Sequence, residues 1–143
     1  MTASTKEIDG LVDELKWGHP ETRKKAAIKL GRIRDKRVIP HLVHTLENDE
    51  YPYARVSAIQ SLLWIADQSI IEVIIKIAEI DQDDLVRKTA IEALGSLKIK
   101  SVLPRLEMIL NNEQNSEIKK ITSNAIEVIK GKIDTWESGA RPS

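Results

Sequence analysis

The sequence predicts an all-α protein, an α-solenoid (superhelix) of helical hairpins with about eight helices and a 32-residue repeat. Three observations predict it. A twelve-residue segment recurs three times at an ungapped spacing of 32 residues. Each full copy is followed by a second segment with apolar residues at i, i+3, i+4 and i+7, the spacing of one helical face. Gly and Pro are few and separated by long runs of strong helix formers. With three Trp, two Tyr and no Phe, the chain has few large rings for a compact globule, whereas thin layers of helices packed by Leu, Ile, Val and Ala need none.

The first element is a half-unit. In residues 5–16, Ile8, Leu11, Val12 and Leu15 carry the apolar spacing, so this segment reads as a B helix without an A partner. The first A helix follows at Thr22–Ile33. Its copies are Ala54–Ile65, Val86–Leu97 and, more weakly, Ile118–Ile129. In this register Arg23, Arg55, Arg87 and Lys119 coincide, as do Leu30, Leu62, Leu94 and Ile126. Ala26, Ala58 and Ala90 coincide with Thr122. Small residues at that column let neighbouring A helices approach closely. Gly31 and Gly95 are expected near A-helix ends, where a left-handed residue can stop a helix. Leu63 holds that slot in the second repeat, which is therefore expected to end differently, at Asp67.

The B helices are Val38–Leu46, Ile70–Ala78 and Val102–Leu110. Pro40 and Pro104 fit their first turn, where a missing N–H costs least. After Ile129, Gly131 can stop the last A helix. The expected organisation is one domain over residues 1–136. It comprises a half-repeat at 5–16, full repeats at 19–49, 50–81 and 82–113, a capping half-repeat at 114–136, and a polar flexible tail at 137–143. Trp17 and Trp136 are expected to seal the two ends. One hairpin cannot bury both sides of its apolar stripe, so stability comes from stacking neighbours.

The repeat resembles the HEAT-like repeats of phycobilisome lyase subunits. Residues 82–110 carry the likeness best, through Asp84, Val86-Arg87, Ala90, Ala93-Leu94-Gly95, Val102 and Pro104. Residues 19–49 carry it nearly as well. The resemblance covers about residues 19–130. It implies a right-handed superhelix whose B helices line the concave side, and a family that spans lyases, chaperones and adaptors. A fold of this kind does not by itself fix a function.

Composition narrows the function. The formal net charge is zero, which disfavours a non-specific nucleic-acid binder. There is no Cys, so disulfides, thiolate metal sites and Cys nucleophiles are excluded and a reducing, cytoplasmic setting is expected. No Gly-rich phosphate loop, His-Glu-x-x-His motif or nucleophile elbow occurs. No catalytic residue, cofactor or metal is therefore nominated. The expected activity is that of a scaffold or adaptor holding another protein. A bilin lyase or chaperone-type subunit, suggested by the resemblance, and a nucleic-acid-binding repeat protein are the alternatives. Membrane association is not expected, and apolar ends leave room for a homodimer through the solenoid ends.

The expected partner surface is the concave B-helix face: His41, His44 and Asn48, then Val73, Lys76, Ile77 and Ile80, then Arg105, Met108, Ile109 and Asn112. Apolar residues at its middle, rimmed by polar ones, are the usual mark of a partner site. His41 and His44 could share a metal, but only Glu47 is near enough in sequence to serve as a third ligand, and surface histidines are the plainer reading. Tyr51, Tyr53 and Trp64 form a possible aromatic hot spot. A structural ladder is expected from Asp49 to Arg55, Asp81 to Arg87 and Glu113 to Lys119, each acid six residues before its base. Residues 19–49 carry eight Lys/Arg against four acids. The basic run Arg23, Lys24, Lys25, Lys29, Arg32, Arg34, Lys36 and Arg37 reads as a solvated face or a contact for an acidic partner.

Overall fold

The computed structural model describes residues 3–132. Among them are eight α-helices and no strand: α1 (Thr5–Trp17), α2 (Pro20–Ile33), α3 (Ile39–Asn48), α4 (Pro52–Ile65), α5 (Ile71–Ile80), α6 (Asp84–Leu97), α7 (Leu103–Asn112) and α8 (Ser116–Ile129). The A helices α2, α4, α6 and α8 begin and end at an unvarying 32-residue interval, and so do the B helices α3, α5 and α7. A short 3₁₀ turn joins each A helix to its B helix. Trp136 and residues 137–143 lie outside the described residues. No described helix is long and apolar enough to cross a membrane.

The chain divides into two compact units, residues 1–73 and 74–143. In the first, α2 packs on α1 and α4, and α4 on α3. Leu30, Leu42, Leu46, Ile59 and Leu62 are fully buried there, together with Ala26, Ala27 and Ala58. In the second, α8 packs on α6 and α7, and Ile74, Ile91, Leu94, Leu106 and Ile118 are buried. The repeated Leu30/Leu62/Leu94/Ile126 column is therefore core in every copy. Thr122 fits the Ala column because its buried hydroxyl donates to the Ile118 carbonyl at 2.7 Å.

Helix ends follow from local chemistry. Ser4, Asp83 and Asn115 cap α1, α6 and α8 by accepting from backbone N–H groups of the first turn. Prolines occupy the first turns of α2, α3, α4 and α7. The A-helix C-termini depart from expectation. Gly31 lies inside α2 and Gly95 inside α6. The left-handed residues that end α2, α4 and α6 are Arg34 (φ 56°), Ala66 (φ 54°) and Lys98 (φ 52°). The second repeat thus ends like the others, and Leu63 changes nothing. Only Gly131 (φ 79°), just after α8, takes the stop role assigned to it.

A left-handed alanine carries a Cβ penalty of about 1 kcal/mol that glycine avoids. Ala66 is exposed, so its methyl loses little packing. Ala66→Gly is expected to raise stability by a few tenths to about 1 kcal/mol, read as a higher urea midpoint with an unchanged slope.

Candidate protein-binding grooves

An arginine in the first turn of the A helix organises the open end of the hairpin. Arg23 donates from Nε and Nη2 to the Asp49 carboxylate at 2.8 and 3.0 Å, and from Nη1 to the Gly18 carbonyl at 2.9 Å. Arg87 repeats the arrangement. It forks onto Glu113 at 3.1 and 3.2 Å, donates to the Asp81 carbonyl at 2.9 Å, and meets Asp84 at 2.6 Å. Arg55 donates to the Asp49 carbonyl at 2.7 Å. The ladder therefore exists in a different register from the expected one. The acid six residues before Arg55 or Arg87 offers its main-chain carbonyl. For Arg23 and Arg87 the carboxylate comes from the acid 26 residues later, at the far end of the same hairpin. Lys119 is exposed at the equivalent place in α8.

Both acids are held in a donor-rich pocket. Burial pushes the Asp49 carboxyl up, and the N–H donors of Arg23 and Tyr51 more than offset this, leaving it below the usual aspartate range. Glu113 is likewise raised by burial and brought lower on balance by Arg87 and by the N–H groups of Asn115 and Gln114.

A groove opens beside each of these two pairs. In the first unit, about 680 Å³ is lined by Leu15, Lys16 and Trp17 of α1, His41, His44 and Asn48 of α3, and the Arg23–Asp49 pair. In the second unit, about 500 Å³ is lined by Ile80 at the end of α5, Met108, Ile109 and Asn112 of α7, and the Arg87–Glu113 pair. The linings correspond position by position at twice the repeat: Lys16 to Ile80, His44 to Met108, Asn48 to Asn112, Asp49 to Glu113. The same site is built twice with different chemistry. The first copy places Lys16, His44 and the Trp17 indole at its mouth; the second places Ile80 and Met108 there, beside Arg87, Asn112 and Glu113.

The expected surface residues divide accordingly. Ile80 and Met108 are 62% and 56% exposed. His44, Asn48, Lys76 and Asn112 are also exposed, and His41, Val73 and Arg105 are half-buried. Asn48 Nδ2 donates to the His44 carbonyl at 3.0 Å, and Arg105 pairs with Glu79 at 2.7 Å. Ile77 and Ile109, by contrast, are buried. Their helical angle turns them inward, so they are core rather than free surface. Trp17 seals nothing: it is 82% exposed at the mouth of the first groove. The sequence reading missed it there, along with Lys16 and Glu50. Translating the nominated Ile80 back by two repeats leads to Lys16; no nominated residue leads to Glu50.

The aromatic trio does not converge. Tyr51 and Tyr53 meet edge to face at 5.4 Å between ring centres, and the Tyr51 hydroxyl donates to Glu21. Trp64 is in the last turn of α4, eleven residues from Tyr53, or roughly 16 Å along the axis, and is half-buried. Among the described residues, no group of three His, Asp or Glu side chains is arranged to hold a metal.

The family model for HEAT repeats matches residues 8–67 and 39–127. No curated protein matches the chain.

Proposed function

We propose, from the premise that the chain belongs to the HEAT-repeat family, that it is a non-catalytic scaffold or adaptor holding another protein against its B-helix face. HEAT repeats generally mediate protein–protein contacts. The observation that carries the reading for this chain is Ile80 and Met108. Two large apolar side chains on adjacent B helices stand more than half exposed at one groove. Leaving them in water forgoes burial that a partner's apolar side chain would supply. Met108 suits the purpose because its thioether stem reshapes around different surfaces. The Arg87–Glu113 pair and Asn112 give the groove a polar rim.

Within the family, Val86-Arg87, Ala93-Leu94-Gly95 and Pro104 support a likeness to the HEAT-like repeats of phycobilisome lyases. That likeness concerns the repeat, and the exposed Ile80 and Met108 favour partner recognition as this chain's use of it.

Ile80→Asp and Met108→Asp are expected to weaken binding of a partner purified with the native protein by about 30-fold or more, the scale of an interface hot spot. Helicity should be unchanged and unfolding free energy should stay within about 1 kcal/mol of the parent, since both positions face solvent. The measurement is titration calorimetry beside circular dichroism. Unchanged affinity in both variants would remove this face from consideration.

A further inference from the structure

The outer face of α2 differs from its counterparts in a way that points to a second contact. In α4, Ser61 faces α2: its hydroxyl donates to the Ala27 carbonyl at 2.7 Å, and its backbone lies against Gly31. Lys29 holds the same repeat position in α2. It therefore faces the side of α2 away from α4, where an A helix lies in the next repeat. Lys25 likewise corresponds to Ser57. Ser57 and Ser61 are buried, whereas Lys25 and Lys29 are exposed.

That side of α2 is not flat. A depression of about 700 Å³ runs between α2 and α1, with Gly10, Leu11 and Ile33 as an apolar floor, Lys29 on the α2 wall, and Glu7 and Glu14 on the α1 wall. Lys6 stands at the rim. A Cβ placed on Gly10 would meet no atom within 4 Å, so no described residue covers α1 at Gly10. The charges are also left open. Arg23, Lys24 and Lys36 are paired with Asp49, Glu21 and Asp67, while Lys25 and Lys29 have no ion pair among the described residues.

We propose that the α1/α2 face docks one amphipathic helix of a partner protein, in the place that α2 itself takes against α4. Its apolar stripe covers Leu11 and Ile33. Carboxylates along one edge meet Lys25 and Lys29, one turn apart, and basic residues along the other edge meet Glu7 and Glu14. The two oppositely charged walls favour a helix of mixed charge over nucleic acid, whose phosphates would be repelled by the α1 wall.

The test uses synthetic helical peptides with one apolar stripe, flanked either by Glu on one side and Lys on the other, or by Lys on both. Anisotropy titrations with the full chain are expected to show the mixed peptide binding at least about tenfold more tightly, with the preference declining in high salt. The Lys25→Glu/Lys29→Glu variant should reverse the preference while keeping its helicity. A preference that survives that reversal, or no binding of the mixed peptide at millimolar concentration, would overturn the proposal. Self-association abolished by the same double change would overturn it in favour of a second copy. Binding of a DNA oligonucleotide abolished by that change would overturn it in favour of nucleic acid.

Discussion

Gly31→Ala is expected to destabilise the protein, against the direction that helix propensity predicts. In an open helix interior this change gains about 1 kcal/mol. At position 31, however, an added Cβ would lie 2.6 Å from the Ser61 Cα and closer still to the Ser61 side chain. The obstacle is backbone of a neighbouring helix, so no rotamer change relieves it, and α2 and α4 must move apart. Overpacking of this kind costs about 1–3 kcal/mol or more, and separating the helices also stretches the buried bond from Ser61 to the Ala27 carbonyl. A net loss of about 2 kcal/mol would lower the thermal midpoint by roughly 4–8 °C. A double-mutant cycle with Ser61→Gly identifies the cause. Trimming Ser61 costs stability in the parent and should cost less, or nothing, in the Gly31→Ala background. A higher midpoint for Gly31→Ala alone would show that the two helices do not touch there.

The second large effect belongs to Arg87. Its side chain is 16% exposed and that of Glu113 is 8% exposed. Arg87→Ala would leave a nearly buried carboxylate without its guanidinium and the Asp81 carbonyl without its donor. Removing one partner from a fully buried pair costs about 3–5 kcal/mol; with this residual exposure, about 2–3 kcal/mol is expected. The pH dependence has a definite sign. Glu113 is held below its ordinary value of 4.5 in the folded protein, so its contribution is present above that pH and is lost as pH falls through the lower folded value. In the variant, burial acts without the guanidinium and Glu113 takes up a proton more readily. The stability gap between parent and Arg87→Ala should therefore narrow as pH falls through the ordinary glutamate value and below it. Urea titrations at pH 7 and pH 3.5 measure it. Adding Glu113→Gln should recover part of the loss at pH 7. A gap that is the same at both pH values would mean that the arginine acts through packing alone.

The repeat was legible because its helices keep constant length. Leu30, Leu62 and Leu94 recur without a gap, and that column alone sets the register of A helices, B helices and core. What the sequence concealed were contacts between columns. An arginine column and an acid column offset by six residues are also offset by 26 in the other direction, and periodicity cannot choose between them. One hint was present: Trp17, not an acid, lies six residues before Arg23, so the first rung had to find its carboxylate downstream, at Asp49. The role of Gly31 is hidden because its partner, Ser61, is thirty residues away, and a glycine two residues from a helix end looks the same whether it stops the chain or admits a neighbour. Ile77 and Ile109 read as surface in the sequence and are buried in the structure, because a small difference in helical angle decides whether a flank residue faces in or out. Ile80 and Met108 lie on the exposed side of that boundary, and Trp17, expected at a sealed end, stands in water.

The arginine spine has a consequence for timing. Each hairpin it touches is stitched along one margin, as a book is bound, and each groove lies beside the pair that stitches its own unit. An incoming chain meets walls already set in place and gives up little freedom in shaping them. If the stitching is cut, the pages should loosen before the book falls apart. Capture of a client would then fail at temperatures where circular dichroism still reports intact helices.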